Sequence, residues 1–98
     1  MLPVTRKREK LMPVLARFYG IVIRLMCLRP LGTRLHAFYQ GSELVMDVHT
    51  LRVIQGDLPP LIEAMVVQWA RCHYRELLRN SALMLHHQRP VAIEPMAA

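Results

Sequence analysis

"RPLGTRLHAFYQGSELVMDVHT", residues 29–50, decides how this chain is read. On both sides of Gly41-Ser42 apolar or aromatic residues alternate with polar ones: Leu35, Ala37 and Tyr39 before, Leu44, Met46 and Val48 after. A period of two is that of a half-buried strand, and Gly at the first position of a two-residue loop suits a type II′ hairpin. Such a loop pairs Gln40 with Glu43, and the register runs back from there. Tyr39 falls opposite Leu44, Ala37 opposite Met46 and Leu35 opposite Val48, six residues that make the core side. The other side carries Phe38 with Val45, His36 with Asp47 and Arg34 with His49. Cross-strand neighbours sit about 5 Å apart at Cβ, so this register gathers four ionisable residues at one end of one sheet face.

The same alternation extends outward. "VLARFY" and "IVIRLMCL" are rich in β-branched and aromatic residues and meet at Gly20, residues 29–33 read as a loop, and "LRVIQ" after Thr50 reads as a further strand. At Gly56 the period changes. Asp57 and two prolines open a helical segment in which Ile62, Met65, Val66, Trp69, His73, Leu77 and Met84 recur at helical spacing. This is one long helix or two short ones meeting near His73. The tail "HHQRPVAIEPMAA" is irregular, with "VAI" docking back as a short extended segment. The expected fold is α+β: an antiparallel β-meander of about four to five strands followed by one long or two short C-terminal helices packed on one sheet face. Residues 12–96 form its single domain.

At 98 residues and 53% apolar content the chain can bury a real core, and its mean hydropathy of +0.19 excludes disorder as the general state. No apolar run is long enough for a bilayer, the longest being interrupted by Arg24 and closed by Arg29 and Pro30. "MLPVTRKREK" lacks the apolar stretch of a signal peptide. Cys27 and Cys72 form no metal or redox motif and read as free thiols in a reducing cytoplasm. Of the net charge of +6, half lies in residues 1–11, where four basic residues outweigh Glu9. That stretch reads as a solvated, disordered extension, and Met12 offers an alternative start.

The hairpin cluster admits three readings. A solvated sheet face is the simplest, with His36 and Asp47 an ordinary pair worth at most ~1 kcal/mol. In the second, Asp47 orients His36 as a general base. In the third, His36, His49 and Asp47 make a two-histidine, one-carboxylate metal set, although Arg34 beside them repels a cation and suits a phosphate or carboxylate. Arg71, Arg75 and Arg79 form an i, i+4 ladder, either a solvated face or a landing strip for an acidic partner. His73 shares the apolar stripe of Trp69 and reads as a core histidine with one hydrogen-bond partner. No P-loop, dinucleotide fingerprint, zinc finger, HExxH or nucleophile elbow is present, and no cofactor is implied. In "IVIRLMCL", Ile21, Ile23, Leu25 and Cys27 face one way while Val22, Met26 and Leu28 join Arg24 on the other. A strand apolar on both sides needs cover on both sides. The helices supply one layer; the tail, another copy of the chain or a different protein would supply the second.

"MPVLARFYGIVIR", "LHAFYQGSELVMDVHTLRVIQGDLP", "QWARCHYRELLRN" and "AIEP", in that order, resemble the small bacterial proteins grouped as domain-of-unknown-function family 4160. The resemblance runs from Met12 to about Met96, and Asp47, Trp69, His73 and Glu76 fit its pattern. Two departures stand out. The family's His-x-His pair is reduced here to His36, with Arg34 at its partner's position, and Arg71, Arg75 and Arg79 stand where acidic residues are expected. The resemblance implies no established activity, only a small cytoplasmic protein with a suggested place in a toxin–antitoxin-like gene pair. The leading expectation is therefore a non-enzymatic module that binds a small protein partner or a second copy. The alternative is an RNA- or phosphate-binding, nuclease-like toxin using His36, Asp47 and Arg34.

Overall fold

Two tight reversals organise the sheet. At Tyr19-Gly20 and again at Gln40-Gly41 both central residues have positive φ, 51° and 78° in the first, 46° and 80° in the second. That is the signature of a type I′ turn, whose twist matches the right-handed twist of the strands it joins. The computed structural model describes residues 12–28 and 31–97; the basic stretch 1–11 and the Arg29-Pro30 step of the expected loop lie outside the described residues. Five strands follow in order: β1 (Val14–Phe18), β2 (Ile21–Leu28), β3 (Gly32–Tyr39), β4 (Ser42–Asp47) and β5 (Val53–Gly56). They form one antiparallel meander in which sequence neighbours are spatial neighbours. Helices α1 (Pro60–Cys72) and α2 (Tyr74–Leu85) complete the α+β fold.

The position of the second reversal corrects the expected hairpin. Gly41 is the second central residue of the turn, not the first, because a type I′ turn demands φ > 0 at both positions and glycine meets that demand at no steric cost. Tyr39 therefore pairs with Ser42, Ala37 with Leu44, Leu35 with Met46, His36 with Val45 and Arg34 with Asp47. Every β4 partner is displaced by two residues from the expected register. A displacement of two leaves each side chain on its original face, so the inferred core side survives. Leu35, Ala37, Leu44, Met46 and Val48 are all fully buried, and Tyr39 is half-buried against them.

Ile21, Ile23 and Leu25 of β2 join that side, and the helices cover it with Val66, Trp69, Ala70 and Leu77. Pro60 stands in the first turn of α1, where its missing N–H costs nothing. The helical segment divides at His73, whose ψ of 24° leaves the helical region while its N–H still reaches Trp69 O. No Gly or Pro marks this break. The tail docks on the helix side and at the β1 edge. Asn80 clasps Val91 by both its amide oxygen and nitrogen, Trp69 Nε1 donates to Glu94 O, and Ile93 N donates to Leu15 O. Ile93 is buried in the core cluster, so the expected docking of "VAI" is seen.

Strand β5 starts two residues later than expected because Leu51, at φ 58°, still belongs to the turn after β4. It is short, exposed along its length and irregularly paired between Val45 and Met46. Gly56, at φ 79°, lets it seat: a Cβ there would lie 2.1 Å from Glu43 O, whereas one on Gly41 would meet nothing within 4 Å. Alanine at Gly41 incurs only backbone strain, about 1–2 kcal/mol, while alanine at Gly56 adds a clash with backbone. Urea denaturation is expected to rank Gly56→Ala as clearly less stable than Gly41→Ala; the reverse order would mean that β5 does not close on Glu43.

Candidate functional site

The sheet face turned away from the helices carries the ionisable residues in rows set by the strand pairing. The first row runs Arg17, Val22, Phe38, Glu43; the second Val14, Arg24, His36, Val45; the third Met26, Arg34, Asp47. The helices and Ile93 of the tail join the core on the opposite side, and Met12 reaches this face, where its carbonyl accepts from Arg24 Nη1. His36 and Arg34, each in an ion pair, keep only 13% and 18% of their side-chain surface exposed.

The expected His36–Asp47 pair is not formed. With Asp47 opposite Arg34, Arg34 Nη1 donates to Asp47 Oδ2 at 2.9 Å. The other carboxylate oxygen organises the following turn: Oδ1 accepts from the backbone amides of His49 and Thr50 at 2.8 and 2.9 Å and from the Thr50 hydroxyl. The Thr50 amide is the main reason that the Asp47 carboxyl lies below the ordinary carboxylate range. Partial burial opposes it, and the His49 amide, the Thr50 hydroxyl and the Arg34 guanidinium add to it. A general base at neutral pH needs its pKa raised toward 7; Asp47 is driven the other way, and both its oxygens are engaged.

His36 pairs instead with Glu43, a residue absent from the sequence-derived cluster. Its Nδ1 donates to Glu43 Oε2 at 2.5 Å, and its ring stacks on Phe38 at a centroid distance of 6.2 Å. The signal that could have found Glu43 is the diagonal contact open to a long side chain two positions along the neighbouring strand, which a correct turn position brings within reach. His36 Nε2 is buried and, among the described residues, has no hydrogen-bond partner.

His49 is not opposite Arg34. It sits in the exposed turn after β4, tied by its own backbone, whose carbonyl accepts from the Tyr74 hydroxyl. The proposed set His36, His49 and Asp47 is thus dispersed, and among the described residues no three His, Cys, Asp or Glu side chains gather where they could hold a metal ion. Arg71, Arg75 and Arg79 are all exposed, but the break at His73 places Arg71 on α1 and the other two on α2, so the expected continuous ladder is interrupted. Arg71 lines an open groove of about 620 Å³ with Leu58, Pro60 and Val67, remote in sequence from the histidines of the sheet. His73 is partly buried against Trp69, ring centroids 5.1 Å apart, and its Nδ1 donates to Glu76 Oε1 at 2.7 Å. That is a structural histidine at a helix junction.

A family model described as a domain of unknown function (DUF4160) matches residues 20–80. No curated protein and no solved structure matches the chain. Among the described residues, no helix is long and apolar enough to cross a membrane.

The depressed Asp47 pKa carries a pH dependence of defined sign. The unfolded chain takes up this proton near pH 4 and the folded chain only at lower pH, so the stabilisation is complete above the unfolded value and is lost as pH falls through the folded one. Asp47→Asn is expected to cost about 1 kcal/mol at pH 7, with the deficit shrinking as denaturation is repeated from pH 5 down to pH 3. A deficit constant over that range would show that the carboxylate is not held by the turn.

Proposed function

The chain belongs to the DUF4160 family, a domain of unknown function, and on that premise we propose that it is a non-enzymatic protein-interaction module that binds a protein partner through the open face of its sheet. One observation supports this best. The face mixes apolar residues (Val22, Met26, Phe38, Val45) with charges that nearly cancel: Arg17, Arg24 and Arg34 against Glu43 and Asp47, a balance of +1 with His36 neutral. Phosphate-binding surfaces work by accumulating uncancelled Lys and Arg; a near-neutral face of alternating apolar and charged side chains is the composition of a protein contact. Arg34 is paired with Asp47 and His36 with Glu43, rather than being directed at a reaction centre.

This reading places the protein in the bacterial cytoplasm, as one member of a toxin–antitoxin-like gene pair. The RNA-binding alternative keeps Arg34 as a phosphate contact and His36 as its chemical group, adds Arg17 and Arg24 from the same face, and leaves Asp47 to the turn it holds.

Co-purification from cells expressing the chain with its genomic neighbours separates the two. A stoichiometric protein partner is expected, lost on Phe38→Glu at unchanged far-ultraviolet circular dichroism and retained in His36→Ala. Nucleic acid in place of protein, released by salt and accompanied by RNA cleavage that His36→Ala abolishes, would reverse the assignment.

A further inference from the structure

The rows of the open face are self-complementary, and this identifies an occupant. Arg17 is exposed at the β1 end of the first row and has no ion-pair partner among the described residues, while Glu43 is exposed at the β4 end, with only Oε2 engaged. Val22 and Phe38 lie between them. In the second row, Val14 and Val45 occupy the two ends around Arg24 and His36. A face whose opposite ends carry opposite charges, with like apolar groups at matching distances from the centre, is complementary to its own image.

We infer that the open face is covered by a second copy of this chain, stacked sheet on sheet about a two-fold axis that runs along the strands between β2 and β3. The inference rests on the interaction reading above and names its partner. Rotation about that axis exchanges β1 with β4 and β2 with β3 and keeps each row in place. Arg17 then meets Glu43 of the second copy, and Glu43 meets its Arg17, so the ion pair forms twice, as in any isologous contact. Val22 meets Phe38 and Val14 meets Val45, while Met26 meets the aliphatic stem of Arg34, whose head stays on Asp47. Arg24 comes to the neighbourhood of His36. Arg24 Nη1 donates to Met12 O.

The competing two-fold, perpendicular to the strands, is excluded by charge: it lays the first row on the third and sets Glu43 against Asp47. Sheets packed face to face turn by about 30°, so the match is between regions of the face rather than single Cβ atoms. The three rows span about 20 Å by about 20 Å. That covers on the order of 800 Å² over both copies, below the roughly 1,200 Å² of stable complexes, so the dimer is expected to be weak and concentration-dependent.

Sedimentation velocity of the full chain, from about 10 to about 500 μM to cover the range of weak association, tests this. The wild-type mass is expected to rise from one copy to two. Arg17→Glu sets carboxylate against Glu43 and is expected to weaken association at least ~10-fold; Arg17→Glu combined with Glu43→Arg reverses both partners and should restore it, a rescue that a merely misfolded variant cannot show. A chain that stays monomeric throughout, or a dimer indifferent to Arg17→Glu, overturns the proposal. The two readings fail separately. A monomeric wild type whose co-purifying partner is lost on Phe38→Glu rejects the second copy and keeps the interaction face, whereas a monomer whose partner is unaffected by Phe38→Glu rejects both.

Discussion

In a meander, each reversal determines which residues can meet across the next pair of strands, and the turn at Gln40-Gly41 does this for the centre of the sheet. Both its residues must adopt positive φ, a conformation that disfavours most side chains and for which Gly41 is suited. Once the chain reverses there, Tyr39 must meet Ser42 and Arg34 must meet Asp47. The Arg34–Asp47 pair in turn ends β4: with one oxygen on Arg34, Asp47 uses the other to gather the amides of His49 and Thr50 and bend the chain into the turn before β5. A turn closed by backbone geometry at one end of β4 is thus answered by a turn closed by a carboxylate at the other. The chemistry of the open face is what remains on the residues between.

Much of this was legible in the sequence, for a physical reason. Alternation has a period of two, so it reports which face a side chain takes and is blind to any slip of two residues. The core set Leu35, Ala37, Leu44, Met46 and Val48 follows from alternation alone and is buried as expected. Pairing depends on where the turn sits, and "YQGSE" offers two adjacent two-residue loops, each placing Gly41 at a permitted position. The choice between them lies in how the strands twist, which no local residue states. The break at His73 was legible only as an alternative, because it carries no Gly or Pro and depends on the ring packing against Trp69.

The same blindness shaped the candidate site. Arg34, His36 and Asp47 were rightly placed on one face, but their partners were not, and His49 lies in the turn beyond it. Two residues of slip exchange Asp47 for Glu43 beside His36, and with that exchange the catalytic and metal readings lose their geometry. Asp47, a depressed carboxylate holding a turn, is a poor base. Glu43 stands beside an imidazole with, among the described residues, no third side chain hydrogen-bonded to the pair. Trp69, His73, Glu76 and Asp47, the positions that fit the family pattern, each hold an element end or a junction in place: Trp69 anchors the tail at Glu94, His73 and Glu76 join the helices, Asp47 closes β4.

How the sheet protects its edges argues for where association takes place. The β1 edge receives Ile93 N at Leu15 O from a tail anchored by Asn80, so the chain's own end occupies it. The β5 edge is exposed, but it is four residues long, irregularly paired, and followed within a few residues by Pro59 and Pro60, which cannot extend a ladder. Short, twisted edges of this kind resist pairing with another chain. The face has no such defence among the described residues. Phe38 and Val22 sit in the middle of its first row, its charges nearly cancel, and Arg17 and Glu43 stand at the two ends of that row where they can select a partner of matching pattern. A fold that closes or shortens its edges while keeping an apolar, charge-patterned face directs association to that face.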